Sequence, residues 1–284
     1  MKVLILGASG MLGNAMFRFL SRKPMLQVYG TLRSRSALKY FDKNLIGNLL
    51  CGVDVENQDS LVGVFARIKP DVVINCIGLV KQLDDSEDPL CAIPINSLLP
   101  HRLASLCNVC GARFIHVSTD CVFSGMRGGY VESDFPDAND LYGRSKFIGE
   151  VVSPNCITLR TSIVGHELSG SRSLLCWFLA QEGVVKGYRN AVFSGLPTNE
   201  LARVVSDFVI PRPELCGLFH VAAKPIDKYS LLKIFSDVYG RGVEIVPDDS
   251  LIIDRSLCAE RFKSATGYVA PEWPDLIKDM YEFH

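Results

Sequence analysis

The first thirteen residues, MKVLILGASGMLG, constrain the rest of the chain. Lys2-Val3-Leu4-Ile5-Leu6 is a short, nearly continuous run rich in branched apolar side chains, the pattern of a strand buried on both faces. Gly7, Gly10 and Gly13 follow at once, spaced G-x-x-G-x-x-G. Beyond them Met11, Leu12, Ala15, Met16, Phe17, Phe19 and Leu20 recur at helical spacing. The glycines therefore occupy a strand-to-helix turn. There the backbone N–H groups of a helix N-terminus point outward and the helix dipole favours an anion, so a diphosphate fits. A side chain at Gly10 would block that approach, and one at Gly13 would hold the helix off the sheet. Three glycines alone prove little; between a strand and an apolar helix they point to a dinucleotide.

Strand and helix patterns alternate from here to about Gly165. Strands are expected near 27–32, 48–55, 72–77, 113–118 and 157–161. Helices are expected near 60–68, 96–110 (with Pro100 in the first turn) and 140–152, the last capped by Asn139 or Asp140. This rhythm implies an α/β fold, a Rossmann-type doubly wound parallel sheet with ligands at the carboxyl ends of its strands. Beyond Gly165 the rhythm loosens. Helices are expected near 173–182, 199–209 and 229–239 and a strand near 217–222. Residues 191–197 read as irregular, and short segments surround Pro247, Pro271 and Pro274. The division expected is a nucleotide-binding domain over 1–165 and 190–222, with a smaller, interleaved substrate-binding lobe over 166–189 and 223–284.

Bulk properties narrow the partners. Of 284 residues, 48% are hydrophobic and 21% charged, and the formal net charge is -1 with no long basic block, which argues against nucleic acid and anionic membranes. No secretory leader or membrane span is apparent, so a cytoplasmic location is expected. The ten cysteines are scattered and read as reduced thiols. Cys107 and Cys110 have C-x-x-C spacing but no second pair, so they read as one face of a helix rather than as metal ligands. No metal ligands are assigned.

The end of the second strand bears on the cofactor. A free ribose 2′-hydroxyl usually meets an acid there. This chain instead continues Arg33-Ser34-Arg35. Guanidinium forks suit a 2′-phosphate, which favours NADPH over NADH; the alternative is two solvated arginines.

Catalytic parts lie further on. Tyr142 and Lys146 are four apart on one helix face, and the preceding strand ends in Val117-Ser118-Thr119-Asp120. A hydroxyl at a strand end, a tyrosine and a lysine are what protonation of a ketone oxygen requires while hydride reaches its carbon. A free phenol has a pKa near 10; lowering it to roughly 7 takes about 4 kcal/mol of differential stabilisation, which a lysine cation and an oxidised nicotinamide can supply in large part.

With these residues in place, the sequence resembles the extended short-chain dehydrogenase/reductases, and within them the dTDP-4-dehydrorhamnose reductase group. The matching stretches are GASGMLG, KPDVVINCIG, INSLLPHRLA, FIHVSTDCVFSG, DLYGRSKFIGE, LRTSIVG, GLPTNELARVV and GLFHVAA, with weaker similarity through DRSLCAERFKSATGY. The resemblance implies an NADPH-dependent reductase of a 4-keto group on a nucleotide-diphosphate 6-deoxyhexose, with Tyr142 as proton donor, Lys146 lowering its pKa and holding the nicotinamide ribose, and Thr119 bonding the substrate oxygen. It places Gly7, Ser9, Gly10, Met11 and Leu12 at the diphosphate. Asp54 and Val55 flank the adenine, Cys76, Ile77 and Gly78 lie along the cofactor, and Asn96 holds the helix that supports the active site. Substrate contacts fall to Cys121, Val122, Ile163 and Pro197. Arg255 either holds the nucleotide diphosphate or forms a surface ion pair with Asp254 or Glu260; Lys81 either contacts substrate or is solvated.

The group usually carries tyrosine where this chain has Cys121 and tryptophan where it has Ile163, both facing the sugar. Ring surface is lost there, so a different 4-keto sugar is expected, with a bulkier substituent such as an N-acetyl group. A nucleotide-sugar epimerase or epimerase-reductase is the alternative enzyme. A non-catalytic NADP-binding regulatory subunit, like that of methionine adenosyltransferase, is the alternative outside enzymes. A homodimer is compatible with all three readings.

Overall fold

The computed structural model describes residues 1–80 and 87–284; Lys81 lies outside the described residues. Its centre is a seven-stranded sheet built from β1 (Lys2–Leu6), β2 (Gln27–Leu32), β3 (Leu49–Cys51), β4 (Val72–Asn75), β5 (Arg113–Thr119), β6 (Cys156–Thr161) and the later strand Gly217–His220. The order across the sheet is β3-β2-β1-β4-β5-β6 and then Gly217–His220, and every pair is parallel. The expected doubly wound sheet is therefore present. The order reverses between β1 and β4, where ligands bind in open sheets of this kind.

Alternation along β1 shows why the sheet has two cores. Val3 and Ile5 face one side and pack with Met16, Phe17 and Leu20 of α1 (Met11–Leu20). Leu4 and Leu6 face the other and pack with Leu61 and Phe65 of α2 (Gln58–Ile68) and with Leu103 and Cys107. All four β1 side chains are fully buried. Each contributes roughly 1.5–3 kcal/mol by leaving water.

The expected helix at 96–110 begins earlier and changes pitch. A short turn, α3 (Pro89–Ala92), widens into a π segment (Ile93–Leu98) before α4 (Leu99–Cys110). Pro100 has no N–H to return to the Asn96 carbonyl, so the ladder opens at that point. The freed carbonyl is covered by Gly149, where a Cβ would lie 1.9 Å from the Asn96 oxygen. Cys107 is buried on α4 and Cys110 exposed; among the described residues no cysteine forms a disulfide.

Two expectations in the second half fail. Residues 191–197 are not irregular but form two short strands, Ala191–Phe193 and Leu196–Pro197. Gly195 between them allows a turn in which a Cβ would come 2.2 Å from the Ser162 oxygen. The segment around Pro274 is an eleven-residue helix, Trp273–Phe283, with the proline in its first turn, where a missing N–H costs nothing. Trp273, Leu276, Ile277 and Met280 are its buried face.

Candidate active site

The glycine turn fits a dinucleotide. Gly7 has φ +81°, and a Cβ there would meet the Ile77 side chain at 2.6 Å. A Cβ on Gly13 would lie 2.1 Å from the Gly7 oxygen, so the helix can rest on the strand only without one. Gly10 caps α1 with no side-chain bond, leaving the helix N-terminus to a ligand. Its own Cβ would touch only the Gly7 oxygen, at 3.4 Å, so the space beyond is open to a phosphate. Ser9 and Met11 flank it, and Leu12 is buried.

Around this turn, Arg33 is exposed at the end of β2, with Asp54 exposed just beyond β3 and Val55 half-buried after it. Arg35 opens a 3₁₀ turn and lines a cavity of about 490 Å³ between β3 and α2 with Arg67. Cys76, Ile77 and Gly78 continue from β4 into the groove, all half-buried. These positions can hold the diphosphate, adenine and 2′-phosphate of NADPH.

The catalytic trio comes from the next strand and helix. β5 ends at Thr119. Its Oγ1 accepts from the Cys121 N–H at 3.1 Å and donates to Asp120 at 3.2 Å. α5 (Leu141–Ile148) is capped by the Asp140 carboxylate, which accepts from the Gly143 N–H at 2.8 Å. A Cβ on Gly143 would lie 2.3 Å from the Cys121 oxygen, so the glycine lets α5 press against the end of β5. Tyr142 and Lys146 ride on this helix one turn apart. Lys146 Nζ donates to the Val117 carbonyl at 2.9 Å.

Asn96 ties the pieces together. Its side chain accepts from the Leu79 N–H at 2.9 Å and donates to the Leu79 carbonyl at 3.1 Å and to Ser145 Oγ at 3.2 Å. It thereby joins the loop after β4 to α5. The wide turn that carries it exists because Pro94 and Pro100 interrupt the helix.

Beneath Lys146 lies a network that the sequence reading missed. Glu150 and Arg160 form a buried bidentate ion pair, with both bonds at 2.7 Å and side chains 6% and 2% exposed. The same carboxylate accepts from Ser118 Oγ at 2.7 Å. Arg160 lies over Phe123 and reaches His220. The available signal was Glu150, one helical turn beyond Lys146.

Burial sets the protonation of the trio. It lowers Lys146 to about 8, with Glu150 and Cys76 pulling it back up. The same desolvation raises Tyr142 above its ordinary value, while the Thr119 hydroxyl acts in the opposite sense. Cys121 is pushed up to about 12, so it stays a thiol. Asp120 is raised by burial, and Arg255 opposes this.

The residues expected on the substrate side come from distant segments. Ile163 and Pro197 are brought together by the parallel pairing of Ile163–Val164 with Leu196–Pro197. Arg255 forms neither of the anticipated surface ion pairs: its Nε donates to the Phe123 carbonyl at 2.9 Å, and Nη1 lies 3.8 Å from Cys121 Sγ. Val122 departs from the sequence reading. It is fully buried in a cluster with Phe123, Tyr130 and Leu257, so its side chain is core and not wall. Lys228 was missed. It starts the helix Lys228–Tyr239 and feels the charges of Asp120 and Arg255.

A parallel dinucleotide-binding sheet with Tyr142 and Lys146 one turn apart beside Thr119 defines a protein of the extended short-chain dehydrogenase/reductase type. Residues 1–236 match the family described as RmlD substrate binding domain, and the chain belongs to that family. It is 28% identical over 273 residues to a probable low-salt glycan biosynthesis reductase from Haloferax volcanii, covering 92% of this chain and 85% of the relative. It is 25% identical to the dTDP-4-dehydrorhamnose reductase of Salmonella typhimurium, covering 83% and 89%, and 27% identical to methionine adenosyltransferase 2 subunit beta of Danio rerio, covering 84% and 74%. The fold superposes on a dTDP-4-dehydrorhamnose reductase from Clostridium acetobutylicum with a TM-score of 0.81 at 23% identity, covering 99% of each chain. It superposes on that of Bacillus anthracis in complex with NADP with a TM-score of 0.80 at 21% identity, covering 99% of this chain and 98% of that one.

Proposed function

We infer that the protein is an oxidoreductase that uses NADPH to reduce the 4-keto group of a nucleotide-diphosphate sugar. The observation that carries this is the trio: a phenol on α5, a lysine one turn on, and a hydroxyl at the end of β5, set beside a glycine turn shaped for a diphosphate. The family match and the reductases among the relatives support the same reading.

The cofactor, when bound, supplies the hydride. The chain's own residues manage the oxygen. Thr119 Oγ1 turns its one proton from Asp120 to the keto oxygen and orients it. Tyr142 gives up the phenolic proton as negative charge develops there, a role worth about 10²–10⁴ in rate. The phenol's raised affinity for its proton keeps it loaded at neutral pH. Lys146, charged below about pH 8, stabilises the phenolate left behind. Asn96 keeps the Leu79 loop and α5 in register, so the cofactor groove and the acid stay aligned.

A regulatory subunit without turnover has no need of this trio, and the presence of all three residues favours the enzyme over it. Assays of dTDP-4-keto-rhamnose beside UDP-linked 4-keto-6-deoxy-N-acetylhexosamines, at equal concentration, test the reading. NADPH consumption with at least one keto-sugar supports it; none with any, together with tight binding to a larger enzyme, contradicts it.

A further inference from the structure

Two cations on the substrate side have no ion-pair partner among the described residues. Among the described residues, no carboxylate lies within ion-pair distance of Arg255 or Lys228. Their neighbouring acids are engaged elsewhere. Asp254 accepts from the Ser256 N–H at 2.9 Å, and Asp227 caps its helix through Ser230 at 2.8 and 2.7 Å. Among the described residues, Asp120 lies within electrostatic reach of both cations.

Lys228 sits where a cation is least welcome. It is the first residue of a twelve-residue helix, at the positive end of the dipole and half-buried, and Asp227 and Asp254 pair with Val192 from its two sides, which sets Lys228 and Arg255 just past the strands flanking Ala191–Phe193. A ligand anion would remove every one of these penalties. Arg255 points the same way: among the described residues only Nε and Nη1 have partners, and the Nη1 contact to sulfur at 3.8 Å is weak.

The position favours the sugar over the diphosphate. Cys121, against which the guanidinium lies, is itself held by Thr119 Oγ1, the hydroxyl that meets the keto oxygen. Where the resembled reductases carry a tyrosine ring, this chain has a small thiol with a guanidinium edge against it. A planar carboxylate matches that edge, and an ammonium adds a point charge beside it.

We propose that Lys228 and Arg255 form the receptor for a carboxylate carried by the substrate's sugar, beside the reacting keto group. The proposal rests on the nucleotide-sugar reading above and narrows it.

Calorimetric titration of the NADP-loaded protein with UDP, UDP-glucose and UDP-glucuronate tests it. UDP-glucuronate should bind at least tenfold more tightly than UDP-glucose. Lys228→Met should remove most of that preference while changing UDP and UDP-glucose less than about twofold. Lys228→Glu, which keeps the helix start polar, should reverse the preference. Equal affinity of the wild type for the two sugars overturns the proposal and leaves the reductase reading standing. So does a Lys228→Met protein that loses affinity for all three in proportion, which would make Lys228 a diphosphate ligand. Failure of all three to bind strikes the nucleotide-sugar reading itself and this proposal with it.

Discussion

Thr119, Tyr142 and Lys146 come from one strand end and one turn of one helix, and their backbones are locked by buried bonds. Ile163, Pro197, Lys228 and Arg255 come from segments scattered over the second half of the chain and meet Cys121 from the turn after β5, and the two cations among them have no ion-pair partner among the described residues. On the first side, Asn96, Glu150, Arg160 and Ser118 hold position to within hydrogen-bond tolerance. On the second, a guanidinium rests on a sulfur, and the half-buried ammonium of Lys228 has no salt bridge among the described residues. The difference separates what every reaction of this kind needs from what selects one substrate. Proton transfer demands fixed geometry, so its residues are braced. Recognition needs unspent donors, so its residues are left for the ligand to satisfy.

The braced side should break most sharply. Tyr142→Phe keeps the ring and removes the acid, so turnover should fall by about 10²-fold or more with an unchanged melting temperature. Near wild-type turnover would remove Tyr142 from the mechanism.

Arg160→Leu strands the Glu150 carboxylate in the core. Breaking a buried pair this way typically costs about 3–5 kcal/mol, which chemical denaturation would register. A loss below about 1 kcal/mol would mean that water reaches Glu150 and the brace is not a buried one.

Lys146 gives a pH signature. Burial depresses it to about 8, so the cation that stabilises the phenolate is lost above that pH. The profile of kcat/KM for reduction should bend downward near pH 8, while Tyr142 stays protonated. The stability consequence has the opposite sense. Between about pH 8 and the unfolded value near 10.4 the unfolded chain binds the proton that the folded chain has released, so this group's contribution to stability rises with pH across that window. A rate profile flat to pH 10 would exclude the assigned role.

On the open side the effect should be smallest. Arg33 is exposed, and an exposed contact to a 2′-phosphate is worth about 1 kcal/mol or less. Arg33→Ala should therefore lower the preference for NADPH over NADH by about fivefold at most, measured as the ratio of kcat/KM. An unchanged ratio would assign the phosphate to other residues.

The same division governs what could be read from sequence. The glycine turn, the strands of the sheet and the Tyr142–Lys146 spacing are local patterns, each dictated by a few adjacent residues, and they appear where the periodicity puts them, except that β3 stops at Cys51, short of the expected Val55. Val122 sits in a run of site residues, yet its side chain turns into the core, because the 3₁₀ turn after Thr119 rotates consecutive side chains apart. Pro274 reads as a break but starts a helix, since a proline interrupts only the interior of a helix. Lys228 becomes part of the site only once the sheet brings its helix near Cys121, and no local pattern encodes that. A basic residue in the first turn after an Asp cap was the one legible hint.

Hydride transfer itself is the most direct test of the whole account. The protein should be incubated with NADPH deuterated at both C4 positions and with a nucleotide 4-keto-sugar, and the product examined by mass spectrometry and NMR. The account predicts a sugar alcohol one mass unit heavier, with deuterium on C4 of the ring, and no such product from Tyr142→Phe within the same time. Product without deuterium on the sugar, or unconsumed cofactor with every keto-sugar supplied, would contradict it.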